Sequence, residues 1–309
     1  MYDLFAFVFQ NSFLLRGTIL FVFGTIIGSF LNVVVYRLPI MLKHKWYNDC
    51  VLLLGDNSCP LVEDNLNLIH PGSHCPKCKA KVPFWANIPI IGYFLLNGKC
   101  FNCKLKISVR YPLVELFTAI LFVITGYLTN DTLILPALLV FISFIICLVL
   151  IDYDSLILPD ELTLLLLWLG IISNLKGAIA GSLENSIEGA VLGYVSLWCI
   201  FWLFKLITKR DGMGYGDFKF LAAVLAWVGY RGFIPITLVS SLLGIIYFVS
   251  LRVFTVIKLR AGSSVSDSVD SNQAQLPGLL NHQIPFGPFL GIAAIVFVFA
   301  DRYFINLPW

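Results

Sequence analysis

The chain has 309 residues, 59% of them hydrophobic and only 13% charged, with a net charge of +3. That balance excludes an ordinary soluble domain and describes an integral membrane protein. The length accommodates several spans of roughly 20 residues and one modest domain outside the bilayer. The N-terminus does not read as a cleavable signal peptide. It lacks a basic start, and its first apolar run continues into a full-length span.

The hydropathy pattern predicts eight spans in an all-α bundle. The first covers residues 13–35 and ends at Tyr36-Arg37, and a polar segment, 38–111, follows. The second, 112–128, is joined by a tight Thr129-Asn130-Asp131 turn to the third, 133–151. The fourth, 162–175, is short. The fifth, sixth and seventh cover 187–207, 218–229 and 233–257. Residues 262–275 are rich in Ser, Asp and Gln and read as a flexible loop before the eighth span, 286–304. The chain therefore divides into an N-terminal membrane helix (1–37), a cytoplasmic four-cysteine domain (38–111) and a membrane-embedded helical core (112–309).

The charges orient these spans. With the first span running outside to inside, all of the 21 Lys and Arg residues lie on the cytoplasmic side except Arg16, Lys176, Arg231 and Arg302. Basic residues accumulate in cytoplasmic loops, so the reverse orientation is rejected.

The polar segment carries Cys75-Pro76-Lys77-Cys78 and Cys100-Phe101-Asn102-Cys103, separated by residues 79–99. Two such knuckles suit one tetrahedral Zn²⁺ held by four thiolates, although the gap slightly exceeds the usual zinc-ribbon range. The metal would be structural, because four thiolates leave no open position for water. The competing reading is four unmetallated thiols packed as small apolar residues. The other cysteines, Cys50, Cys59, Cys147 and Cys199, read as small buried residues. His44, His70, His74 and His282 show no ligand spacing, though His74 adjoins Cys75 and is a candidate donor to it.

Two aspartates stand at the mouths of apolar runs. Asp152 follows residues 133–151, and Asp217 precedes residues 218–227. With the orientation above, both fall at the cytoplasmic boundary on different helices. A carboxylate at the edge of hydrocarbon is costly to keep charged, so each is a functional candidate. Paired, the two cannot both ionise cheaply. One holds a proton while the other acts as general base on a water. On a helix, Asp154 points about 200° away from Asp152 and cannot join it. Asp160, in the same acidic neighbourhood as Glu161, reads as the N-cap of the fourth span, and Asp154 reads as an exposed loop carboxylate. The glycine-rich Gly212–Gly216 before Asp217 permits close backbone approach; its alternative reading is a linker with Asp217 as an N-cap. No serine–histidine or cysteine–histidine arrangement and no H-E-x-x-H motif is present.

These residues bring a resemblance with them. Gly28-Ser29-Phe30-Leu31-Asn32-Val33, Tyr36-Arg37-Leu38-Pro39, the two cysteine knuckles, Asn87-Ile88-Pro89, Arg110-Tyr111-Pro112-Leu113-Val114-Glu115, Asp152 ahead of Pro159, and Gly214-Tyr215-Gly216-Asp217 occur in that order. Together they resemble the bacterial type IV prepilin peptidases, membrane aspartyl proteases of the GxGD type. The resemblance implies Asp152 and Asp217 as the catalytic pair. It implies type IV prepilins and pseudopilins as substrates, in pilus assembly and type II secretion, and the inner membrane as the location. The basic leader of the substrate would stay in the cytoplasm and be cut after a glycine. It further implies a second activity, methylation of the new N-terminal amine with S-adenosylmethionine. Gly28–Asn32 and Arg110–Glu115 are candidate contributors to that activity. Gly28 and Ser29 also fit simple helix packing, and Glu115 also fits a structural partner such as Arg37 or Arg110. No nucleic-acid partner is expected. The rival readings are a proton-coupled transporter using the carboxylate pair, which internal inverted repeats would favour, and a non-catalytic scaffold docking through its cysteine domain.

Overall fold

The computed structural model describes residues 13–55, 66–75, 77–129, 131, 134–176, 179–210, 212–262 and 285–305. Its helices are α1 (Phe13–Leu54), the short α2 (Ile91–Leu95), α3 (Arg110–Leu128), α4 (Ile134–Ser155), α5 (Asp160–Ser173), α6 (Leu183–Thr208), α7 (Tyr215–Val228), α8 (Phe233–Gly262) and α9 (Gly287–Ile305). No strand is present among the described residues, only two isolated bridges between the cysteine knuckles' own arms. Cys59, Asn130, His282 and nearly all of the predicted loop 262–275 lie outside the described residues.

The centre of the bundle is α7. Asp217, Phe218 and every residue from Phe220 to Val228 are buried. A helix that is apolar on every side belongs in the middle of a protein, and the sequence of α7 is of that kind. Small residues on its neighbours let backbones approach it. A Cβ on Gly193 of α6 would stand 3.2 Å from the Ala222 Cα, and one on Gly170 of α5 only 2.6 Å from the Trp227 ring. The Phe141 and Trp227 rings meet at 5.3 Å and join α4 to α7. The same device closes α1 on α3, where a Cβ on Gly24 or Gly28 would run into the backbone at Ala119 or Glu115.

Among the described residues, five helices, α1, α3, α4, α6 and α8, are long and apolar enough to cross a bilayer. The span expected to be short, the fourth, is short, and the sixth proves equally so. Both α5 and α7 have 14 residues, about 21 Å at 1.5 Å per residue against a hydrocarbon core of about 30 Å. In the other direction, α1 outruns its apolar stretch. It continues through Pro39 to Leu54, 42 residues in all, about 63 Å long. Cys147 is buried as expected, but Cys50 and Cys199 are exposed, a correction to the expectation of small buried residues. Cys199 falls off the Gly189, Gly193, Leu197, Phe201 stripe by which α6 packs inward.

At the far end of α7 from Asp217, Asn174 is fully buried. Its Nδ2 donates to the carbonyls of Gly170, Ala226 and Trp227 at 3.0–3.1 Å, and its Oδ1 accepts from the Ile179 and Ala180 N–H groups at 2.8 Å. One side chain thus terminates both α5 and α7. Asn174→Ala would strand several buried polar groups and is expected to cost about 3 kcal/mol or more. A thermal melt in detergent checks this, and an unchanged midpoint would show that the network carries no stability.

Candidate active site

Asp152 lies in the last turn of α4 and Asp217 in the first turn of α7. The chain leaves α4 because Leu156 adopts φ 55°, with its N–H donating to the Asp152 carbonyl at 2.9 Å. Leu158 then packs under the first turn of α7, where a Cβ on Gly216 would lie 2.9 Å from the Leu158 Cβ. Here the glycine serves close approach, not an unusual backbone angle. None of Gly212, Gly214 and Gly216 has positive φ.

The two carboxyl groups are buried, 5% exposed at Asp152 and 8% at Asp217, and within electrostatic reach of each other. The partner found for Asp152 is a backbone N–H group at a helix N-terminus. Oδ2 of Asp152 accepts from Gly287 N–H, the start of α9, at 3.0 Å. Asp217 is the third residue after the Gly214 N-cap, the place of the acid in a capping box; its backbone N–H donates to the Gly214 carbonyl at 3.3 Å, and a Cβ on Gly214 would lie 3.8 Å from its Oδ2. Asp217 is therefore inside the helix rather than its N-cap. No Lys or Arg pairs with either aspartate among the described residues. Such a site can hold negative charge on fixed dipoles while keeping both acids free for proton transfer.

The neighbouring acids are engaged elsewhere. Asp154 belongs to the last turn of α4 rather than to a loop, and it forms a two-pronged pair with Arg110 of α3 at 2.7 Å. Asp160 is the first residue of α5, with Pro159 as the cap, so it is not the N-cap expected for the fourth span; it binds Lys219 of α7 at 2.7 Å. Helical rotation explains the first case: two positions past Asp152, the side chain points out of the core.

Near the same face, Glu115 of α3 is buried and accepts from Ile90 N–H at 2.6 Å. Neither Arg37 nor Arg110 is its partner. Arg37 instead donates to the Asn67 and Pro71 carbonyls at 2.8 and 2.6 Å, and Asn32 to the Tyr111 carbonyl at 3.1 Å. These bonds fasten the extramembrane domain to α1 and α3.

The knuckles of that domain are copies of one another. In each, the first cysteine's N–H donates to the carbonyl five residues on (Cys75 to Ala80, Cys100 to Leu105), and its carbonyl accepts from the N–H four residues on. The residue after the second cysteine takes positive φ, 57° at Lys79 and 58° at Lys104. The four Sγ atoms lie within 4.8 Å of one another, with Cys75–Cys103 at 3.7 Å and Cys78–Cys100 at 3.9 Å. Tetrahedral Zn²⁺ with bonds of about 2.3 Å requires sulfurs about 3.8 Å apart. The donor set fits as well. The Ala80 N–H draws the Cys78 thiol down to about 6, and the Cys103 and Asn102 backbone lowers Cys100. Cys103 rises to about 11: the Leu105 N–H favours its thiolate, but desolvation and the other three sulfurs oppose it. Four thiolates this close need a cation. His74 is not a donor to Cys75; its ring bonds the Gly72 carbonyl at 2.9 Å.

Sequence reasoning missed Gly287. The signal was present in Pro285-Phe286-Gly287-Pro288, a glycine between prolines at a helix start, where backbone must come close to something.

Fold and site together define a helical membrane protein with a buried pair of carboxylates at one end of its core. Residues 22–129 match the bacterial peptidase A24 N-terminal domain, and residues 139–249 match the type IV leader peptidase family. The chain is 43% identical to a prepilin leader peptidase/N-methyltransferase of Neisseria gonorrhoeae over 75% of its length and 81% of the relative's. It is 42% identical to the protein of that description from Pseudomonas aeruginosa, over 90% and 89% of the two chains. The corresponding figures for one from Dichelobacter nodosus are 44%, 88% and 87%. No solved structure matches it. The chain belongs to the type IV leader peptidase family.

Proposed function

We propose that this chain is an aspartic endopeptidase that removes the basic leader of type IV prepilins and pseudopilins and then methylates the amine it has exposed. The observation that carries the peptidase half is the pair Asp152 and Asp217, buried within electrostatic reach, with no Lys or Arg paired to either among the described residues. The printed description of the relatives carries the methyltransferase half. Nothing in the fold or the comparisons favours a transporter.

The pair shares one proton in this scheme. The ionised aspartate removes a proton from a water, whose oxygen attacks the scissile carbonyl carbon. The protonated aspartate hydrogen-bonds the carbonyl oxygen as it gains charge. When the tetrahedral intermediate collapses, the C–N bond breaks and the departing nitrogen takes up a proton, leaving a carboxylate and a new N-terminal amine. S-adenosylmethionine supplies the methyl group for the second reaction. The described residues form no strand, glycine turn and helix of the dinucleotide-binding kind. Zn²⁺ on Cys75, Cys78, Cys100 and Cys103 would staple the extramembrane domain and take no part in either reaction.

In this proposal the chain makes eight passes through the bacterial inner membrane, with α5 and α7 as the two short ones. The ends of α4, α7 and α9 that carry the site face the cytoplasm, as the distribution of Lys and Arg requires. Purified protein given a prepilin peptide and labelled S-adenosylmethionine is expected to release the leader and label the shortened product. An uncut peptide would refute the peptidase assignment, and a cut but unlabelled product the methyltransferase assignment.

A further inference from the structure

The N-terminus of α9 touches Asp152 across 135 positions of sequence. The Gly287 N–H donates to Oδ2 at 3.0 Å in a buried setting. A Cβ on Gly287 would lie 2.6 Å from that same oxygen and 3.1 Å from the carboxyl carbon. No side chain other than hydrogen fits here without moving the carboxyl group. One turn on, a Cβ on Gly291 would run into Val149 and Ile145 of α4. Two glycines four apart therefore lay α9 directly along α4, and the first ends under the acid. Pro288, next in line, has no N–H to offer. Gly287 is thus the residue of this helix start for which a bond to Asp152 is recorded.

We infer that Gly287 is a positioning residue for leader cleavage: its N–H fixes Oδ2 of Asp152 and so sets the plane in which the other oxygen meets water or the scissile amide. The inference rests on the peptidase reading above. A carboxylate in the last turn of a helix can swing about two side-chain torsions, and α4 itself offers Asp152 no anchor. Reaction rates fall steeply when a reacting group is misplaced by about 1 Å, even where substrate still binds.

Two variants test this in full-length protein. Gly287→Ala adds the methyl group that displaces Oδ2. Replacing Gly287 by glycolate, through nonsense suppression, exchanges its N–H for an ester oxygen and adds no bulk. Cleavage of a prepilin peptide and methylation of an already shortened peptide are measured on the same preparations. The expected result is a kcat for cleavage lower by about 30-fold or more, with KM and methylation unchanged. A kcat within about threefold of the parent, or a change confined to KM, would overturn the inference. Should the alanine variant lose both activities, the ester variant decides: a selective loss of cleavage supports positioning, and any other result refutes it. A parent protein that fails to cut would instead count against the peptidase reading.

Discussion

Asp152→Asn and Asp217→Asn are each expected to lower leader cleavage by about a thousandfold or more, since each removes a general acid–base group. Asparagine keeps the size of aspartate and, at position 152, can still accept the Gly287 N–H through its amide oxygen. The start of α9 therefore keeps its partner, and the fold should survive. What is lost is the ability to take or give a proton. The two groups act as one unit, so the double variant should be scarcely worse than either single one. Methylation of a pre-cut peptide should persist in all three, which separates lost chemistry from lost structure. Cleavage persisting in either single variant would remove that aspartate from its role. The same substitutions at Asp154 or Asp160 should cost little, because those acids spend themselves in partly exposed ion pairs with Arg110 and Lys219 worth about 0–1 kcal/mol.

Removing the metal should have the opposite pattern. Metal analysis is expected to find one Zn²⁺ per chain, and a chelator or Cys78→Ser should abolish methylation while cleavage changes by less than about tenfold. The reason is spatial. The knuckles are tied to α1 and α3 through Arg37 and Glu115, whereas the aspartates sit among α4, α7 and α9. Structural zinc contributes about 10–16 kcal/mol to folding of small domains that lack a core, so this region would lose its shape without it. Acid should mimic the chelator, because protonated thiols do not bind metal. Affinity should fall as the pH drops, with Cys78, drawn to about 6, among the last to protonate. Cleavage that stops together with metal loss, in a protein whose membrane helices remain intact, would place zinc beside the peptidase site. Intact protein without metal would return the four cysteines to a packing role.

Much of this site was legible before any coordinates. Asp152 and Asp217 stand where long apolar runs end, and run length and charge are local properties. The bias of Lys and Arg led to the expectation that both aspartates share one side of the membrane, and the C-x-x-C spacing announced four converging sulfurs. The family motifs added the chemistry. Other features were misjudged or not visible. Asp154 read as a loop acid because the end of α4 was placed at the last apolar residue, whereas the helix continues one turn into polar sequence. The run of α1 past Pro39 was hidden for the same reason: apolar content marks where hydrocarbon ends, not where hydrogen bonding does. The doubling of the cysteine knuckle lies in its backbone bonds, which its side chains do not resemble closely enough to reveal.

Local pattern thus settled the class of protein and marked the two acids as candidates. Three-dimensional packing alone determined what holds those acids. The Gly287 bond to Asp152, the Ile90 bond to Glu115 and the grip of Asn174 on α5 and α7 all join residues far apart in the chain. In each, one partner is a backbone N–H or carbonyl, a group every residue carries and no sequence distinguishes. Which such group meets a given side chain depends on how closely two helices lie, and that distance follows from glycines whose neighbours the folded chain selects.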